Sequence, residues 1–115
     1  MSWWVYLEDH NRKPCNVPVH REGGTHVLNG TQDAELNITY NYSKFYYLYL
    51  DSEGLRWLNE RKAKSTIDAL EYAVGMLGTD QDPDYWKGTR GNAGHALSIL
   101  LNWAKLYPEA VFRVS

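Results

Sequence analysis

The chain has 115 residues and a mass of 13.3 kDa, enough for one domain, because neither half alone would bury a useful core. Twelve Lys and Arg against fourteen Asp and Glu give a net charge of -2, which argues against general nucleic-acid coating by phosphate neutralisation. A hydrophobic fraction of 43%, with five Trp, nine Tyr and two Phe, excludes a disordered chain despite the negative mean hydropathy.

Residues Trp3 to Glu8 are rich in aromatic and β-branched types but alternate weakly, the pattern of a strand partly covered on both faces. The opening MSWWVYLEDH has neither a basic leader nor an apolar stretch with a small-residue cleavage site, so it does not read as a secretory signal. No apolar run approaches the roughly 18 to 20 residues of a membrane span. A single cysteine, Cys15, cannot close an intrachain disulfide, which fits a reducing, cytoplasmic setting and makes the glycosylation triplets at Asn29, Asn37 and Asn41 coincidental. Asp9 to Pro18 holds Asn11, Pro14, Asn16 and Pro18 and is expected to be a loop. Gly23-Gly24 then opens a short strand from Thr25 to Leu28, which Asn29-Gly30 ends as a hairpin turn. Ala34 to Tyr40 is the returning strand, with Leu36, Ile38 and Tyr40 on a buried face opposite Glu35, Asn37 and Thr39.

Ser43 is the expected N-cap of a helix reaching about Leu50, enclosed by Phe45, Leu48 and Tyr49 on one side and Tyr46, Tyr47 and Leu50 on the rest. Leu55 to Lys64 anchors Trp57 and Leu58 within a charged loop or short turn. Ser65 with Asp68 approximates a capping box; Ile67, Leu70, Val74 and Leu77 keep helical spacing, and Gly78 ends the helix. Thr79 to Arg90 is long for a simple connection and is a candidate functional loop. Asn92 is placed as the cap of a last helix from Ala93 to about Leu106, striped by Leu97, Leu100, Leu101 and Ala104 and stopped by Pro108. Ala110 to Val114 is a final strand, expected beside the first, where it protects both edges. The whole reads as one α+β domain over 1–115: a small antiparallel sheet from both termini packed against about three helices.

Two stretches point to ligand chemistry. GTRGNAGHAL, Gly88 to Leu97, places glycines and exposed amides at a helix start, with Arg90 as a planar donor fork and His95 one turn on, an arrangement able to cradle an anion. It fits neither GxxxxGK[ST] nor GxGxxG, and the competing reading is a tight turn at Gly91, a cap at Asn92 and close packing of the helix on the sheet at Gly94. LNITYNYSKFYYLYL, Leu36 to Leu50, gathers tyrosines whose flat faces and polar tips suit stacking on a base or sugar; core packing accounts for most of them, Tyr40 and Tyr42 at the strand-to-helix junction excepted.

His10, Cys15, His20 and His26 match no compact zinc spacing and read as solvated loop histidines with an isolated thiol. Asp80, Asp82 and Asp84 lack the glycine and glutamate of a calcium loop. No metal or cofactor motif is present, no G-x-S-x-G elbow occurs, and Glu22 before Gly23-Gly24 is a weak candidate acid or base.

Taken together, SWWVYLED at 2–9, EGGTH at 22–26, LNITYNYS at 36–43 and GNAG at 91–94 resemble a family of short proteins of uncharacterised activity found in bacterial and phage or prophage genomes. That resemblance implies either a protein that inhibits a host factor or one that captures a small host-made ligand. The expected function is therefore non-catalytic capture of a small anionic ligand such as a nucleotide, between Tyr40, Asn41, Tyr42 and Ser43 on one side and Arg90, Asn92 and His95 on the other. The alternative is a protein-interaction module whose Tyr85 and Trp86 dock on a host protein. A small enzyme using His95 or Glu22 on an anionic metabolite is the third reading. A homodimer is compatible with so small and aromatic a domain, and no membrane partner is expected.

Overall fold

The computed structural model describes residues 1–20 and 30–115; the expected strand Thr25 to Leu28, with Glu22, His26 and Asn29, lies outside them. The described elements are β1 (Ser2–Glu8), β2 (Asn16–His20), β3 (Thr31–Asp33), β4 (Glu35–Thr39), α1 (Ser43–Tyr49), α2 (Ile67–Leu77), α3 (Arg90–Leu106) and β5 (Val111–Val114). Single 3-10 turns at Tyr40–Tyr42, Gly54–Leu58 and Ala63–Ser65 connect them. This is an α+β fold, and among the described residues no helix is long and apolar enough to cross a membrane.

The terminal strands meet as the sequence implies. β1 is the central strand of the order β4-β1-β5 and runs antiparallel to both neighbours, Trp3 opposite Ile38 and Leu7 opposite Phe112. Alternation then puts Trp3, Val5 and Leu7 on one buried face with Leu36, Ile38, Phe112 and Val114. These join Phe45 and Tyr46 of α1, Leu70, Ala73 and Leu77 of α2, and Leu97, Leu100 and Trp103 of α3 in one core. On the other face Trp4, Tyr6 and Glu8 are half-buried, the partial cover that their weak alternation predicts. In β4 both faces are enclosed: Asn37 and Thr39 are buried along with Leu36 and Ile38, and the Asn37 amide donates to Ser2 Oγ and the Trp3 carbonyl.

The β5 edge of the sheet is covered by neighbouring chain, and the β4 edge is engaged at one point. Residues 60–63 lie along β5, with Glu60 N donating to Phe112 O at 2.8 Å and Phe112 N to Arg61 O at 3.0 Å. On the β4 side, Tyr85 from the long connection donates its hydroxyl to Asn37 O at 2.7 Å.

Four expectations change in detail. Where Asp9 to Pro18 reads as a loop, β2 forms from Asn16 and tolerates Pro18, because pairing with β3 is confined to Asn16 with Asp33 and His20 with Thr31 and shifts register between them. Ser43 begins α1 without capping it, its hydroxyl donating to Tyr40 O at 2.5 Å. α1 is less enclosed than expected, since Tyr47 and Leu48 are 53% and 71% exposed. Ser65 likewise does not cap α2, which starts after Thr66, whereas Gly78 does end it with φ 76, a left-handed conformation suited to glycine.

Candidate functional site

The two segments expected to form a ligand site do approach each other. Tyr42 from the 3-10 turn, Asn92 and His95 from the first turns of α3, and Tyr85 from the connection line a common crevice beside Asn37. Its volume is about 10 Å³, roughly the room one water needs and far too little for a nucleotide.

The Tyr42, Tyr46 and Asn92 side chains here hold the fold. Tyr42 is fully buried and donates its hydroxyl to Tyr85 O, and Tyr46 donates to Ala93 O at 3.0 Å. Burial, followed by the nearby Tyr85 and Asp84, raises the Tyr42 phenol above its ordinary range; burial likewise holds Tyr46 far above it. Asn92 accepts from Asp82 N at 2.8 Å and donates to the carbonyls of Asp84 and Lys87, both at 3.0 Å. Asn92 thus clasps the Thr79 to Arg90 connection and leaves the helix cap to Thr89, whose hydroxyl accepts from Asn92 N at 3.1 Å.

The remaining residues of the expected site face elsewhere. Arg90 stacks over the Tyr49 ring at 5.1 Å and donates to Tyr49 Oη at 3.1 Å and Met76 O at 2.7 Å, so its fork closes the end of α2. Asn41 donates to Trp86 O at 2.7 Å. The glycines of GTRGNAG serve close approach: a Cβ at Gly91 would stand 1.7 Å from Asp80 O, and one at Gly94 would stand 1.8 Å from Gly78 O. The packing partner of Gly94 is therefore the end of α2 and not the sheet.

Tyr40 and Ser43 open onto a different place. With Trp3, Tyr47 and Arg56 they line a groove of about 280 Å³ between β1, the turn before α1, α1 itself and the Gly54–Leu58 turn. Trp3 is 5% exposed and meets Tyr40 edge to face at 4.6 Å, which fixes both rings. Tyr47 lies against Gly54, where an added Cβ would come within 3.0 Å of the ring; at φ 64 glycine also satisfies the left-handed turn that carries the chain to Arg56. Among the described residues no carboxylate, carbonyl or ring engages the exposed Arg56 guanidinium, whereas Arg61 stacks on Trp57 and Lys62 and Lys64 pair with Glu109. The sequence reading found Tyr40 and Ser43 but missed Trp3, Tyr47 and Arg56. The available signal was the spacing of Ser43 and Tyr47, four residues apart on one helical face.

A second cavity of about 340 Å³ lies between the loop after β1 and the turn before β5, walled by Asp9, His10, Cys15, Leu106, Tyr107 and Glu109 among others. Burial, reinforced by Asp9 and Glu8, raises the Cys15 thiol, which therefore stays protonated and weakly nucleophilic. His20, expected in solvent, is buried against Trp103 at a ring separation of 5.2 Å, and its Nε2 donates to Asp33 O at 3.0 Å. Among the described residues no three His, Cys, Asp or Glu gather to hold a metal. In the connection, Asp82 and Asp84 build turns by accepting from Asp84 N and Trp86 N. Tyr85 packs between Tyr42 and Trp86, leaving Trp86 52% exposed.

Compared with known proteins, the chain matches no family model, no curated protein and no solved structure.

Proposed function

We propose that this protein is a non-catalytic binder that captures a small anionic ligand in the groove of Trp3, Tyr40, Ser43, Tyr47 and Arg56. The observation that carries the reading is the Arg56 guanidinium, exposed beside aromatic walls and without an internal partner among the described residues. A planar donor fork of this kind binds phosphate or carboxylate in a bidentate manner, and the neighbouring rings limit the water that competes for it. Arg90, with two of its five N–H donors engaged by Tyr49 Oη and Met76 O and its face on the Tyr49 ring, is the weaker anion site. A thermal-shift screen against nucleotides, sugar phosphates and small carboxylates tests the proposal. Saturation at a hundredfold excess over Kd adds about 2.7 kcal/mol, several degrees for a domain of this size. The shift should vanish in Arg56→Ala and persist in Arg90→Ala; the opposite pattern overturns the assignment.

The second reading, a protein-docking module, has one observation in its favour. Trp86 is half-exposed and held edge to face against Tyr85 at 5.0 Å, a rigid aromatic of the kind that anchors interfaces. Trp86→Ala should then remove a specific partner from pull-downs while leaving the fold intact; retention of that partner ends the reading.

A further inference from the structure

Resting on the reading of this groove as an anion site, we infer that its ligand is a nucleoside monophosphate: a flat ring with a hydrogen-bond donor, joined by a short arm to one anionic group. Four features of the groove converge on that class. First, Arg56 is the only charged residue lining it among the described residues, and one fork matches one phosphate group better than a polyphosphate chain. Other cations nearby in sequence are engaged elsewhere, Lys44 over Phe45 and Arg61 over Trp57.

Second, the walls are aromatic. Tyr40 is held edge to face by Trp3 and Tyr47 lies against Gly54, so two tyrosine rings stand at the groove for stacking. Stacking a base on such a ring contributes about 1–3 kcal/mol and tolerates any base, because each has a π-face. Third, the Ser43 hydroxyl has already given its proton to Tyr40 O at 2.5 Å. Toward the groove it offers an acceptor, which favours a ligand carrying an N–H or O–H over a bare aryl phosphate. Fourth, about 280 Å³ lies just under the roughly 300–1,000 Å³ typical of drug-sized pockets, which leaves room for one ring system and one short arm.

The decisive experiment is calorimetric titration of the intact protein with the four ribonucleoside monophosphates, the parent nucleosides, ribose 5-phosphate and the corresponding triphosphates at matched ionic strength. The account expects at least one monophosphate to bind tenfold or more tightly than both its nucleoside and ribose 5-phosphate, with the triphosphate no tighter. Tyr47→Ala, at a half-exposed position that the core does not need, should bring the affinity for that monophosphate down to the level the same variant shows for ribose 5-phosphate. Ribose 5-phosphate binding as tightly as every monophosphate overturns the ring inference and leaves the anion reading standing. Nucleosides binding as tightly as monophosphates overturn the anion reading itself, and a flat response to every probe overturns both.

Discussion

Replacing Asn92 with alanine tests whether this side chain holds the long connection in place. Asn92 is 5% exposed, and its amide makes three hydrogen bonds to backbone groups ten, eight and five residues upstream, at 2.8, 3.0 and 3.0 Å. Truncation deprives Asp82 N, Asp84 O and Lys87 O of their partner at once. At a net 0.5–1.5 kcal/mol for each bond, and somewhat more where the orphaned group stays dry, the loss sums to about 2–4 kcal/mol. With a urea m-value of about 1–3 kcal/mol/M for a small domain, the unfolding midpoint should fall by roughly 1–2 M at unchanged m. Asn92→Asp gives a sharper version, since it keeps the acceptor toward Asp82 N and replaces the one nitrogen that makes both donations with an oxygen facing two carbonyls. Urea titration should find it no more stable than the alanine variant at neutral pH, and amide exchange at Asp82 should lose protection in Asn92→Ala. An unchanged midpoint together with unchanged exchange at Asp82 would refute the clasp.

Gly75 and Gly94 should respond to alanine with opposite signs. Nothing lies within 4 Å of a Cβ at Gly75, inside α2, so Gly75→Ala should stabilise by about 0.5–1 kcal/mol, whereas Gly94→Ala drives its Cβ to 1.8 Å from Gly78 O and should unfold the protein at a markedly lower temperature. Equal melting temperatures for the two variants would contradict the close approach of α3 to the end of α2. Alkaline pH provides a third test. Tyr42 and Tyr46 have phenols raised above the unfolded value of about 10, so the folded state holds protons that the unfolded state releases. Their contribution is intact below pH 10 and is lost as pH rises from there toward the folded values. Tyrosinate absorbance should therefore show these two rings ionising only with cooperative unfolding; full ionisation of all tyrosines in a still-folded protein would falsify the burial argument.

Periodicity made much of the fold legible, because it reports which side of an element meets the core. The aromatic Trp3 to Glu8 strand, the spacing from Ile67 to Leu77 and the stripe from Leu97 to Ala104 all mark real elements, and the terminal strand pairs with the first. Local rules misled where a tertiary contact competed for the same group. Asn92 has the chemistry of a cap, yet its amide was worth more in the interior, and Thr89 three residues earlier served the helix instead. Pro18 signals a loop only if its strand must pair continuously, and β2 does not. Arg90 and Arg56 are alike in sequence; what separates them is that Tyr49 and Met76 reach the first and nothing among the described residues reaches the second. The groove also needs Trp3, whose place beside Tyr40 follows from the pairing of β1 with β4 and from no motif near either residue.

The central claim is that Arg56 and its aromatic neighbours form the anion site. Its most direct test is a titration of isotopically labelled protein with ribose 5-phosphate and then with the best monophosphate, followed by heteronuclear NMR in wild type and Arg56→Ala. Shifts should concentrate on Trp3, Tyr40, Ser43, Tyr47 and Arg56 in the wild type and disappear in the variant. Shifts centred on Arg90, Asn92 and His95 and surviving Arg56→Ala would contradict the account and return the site to the start of α3.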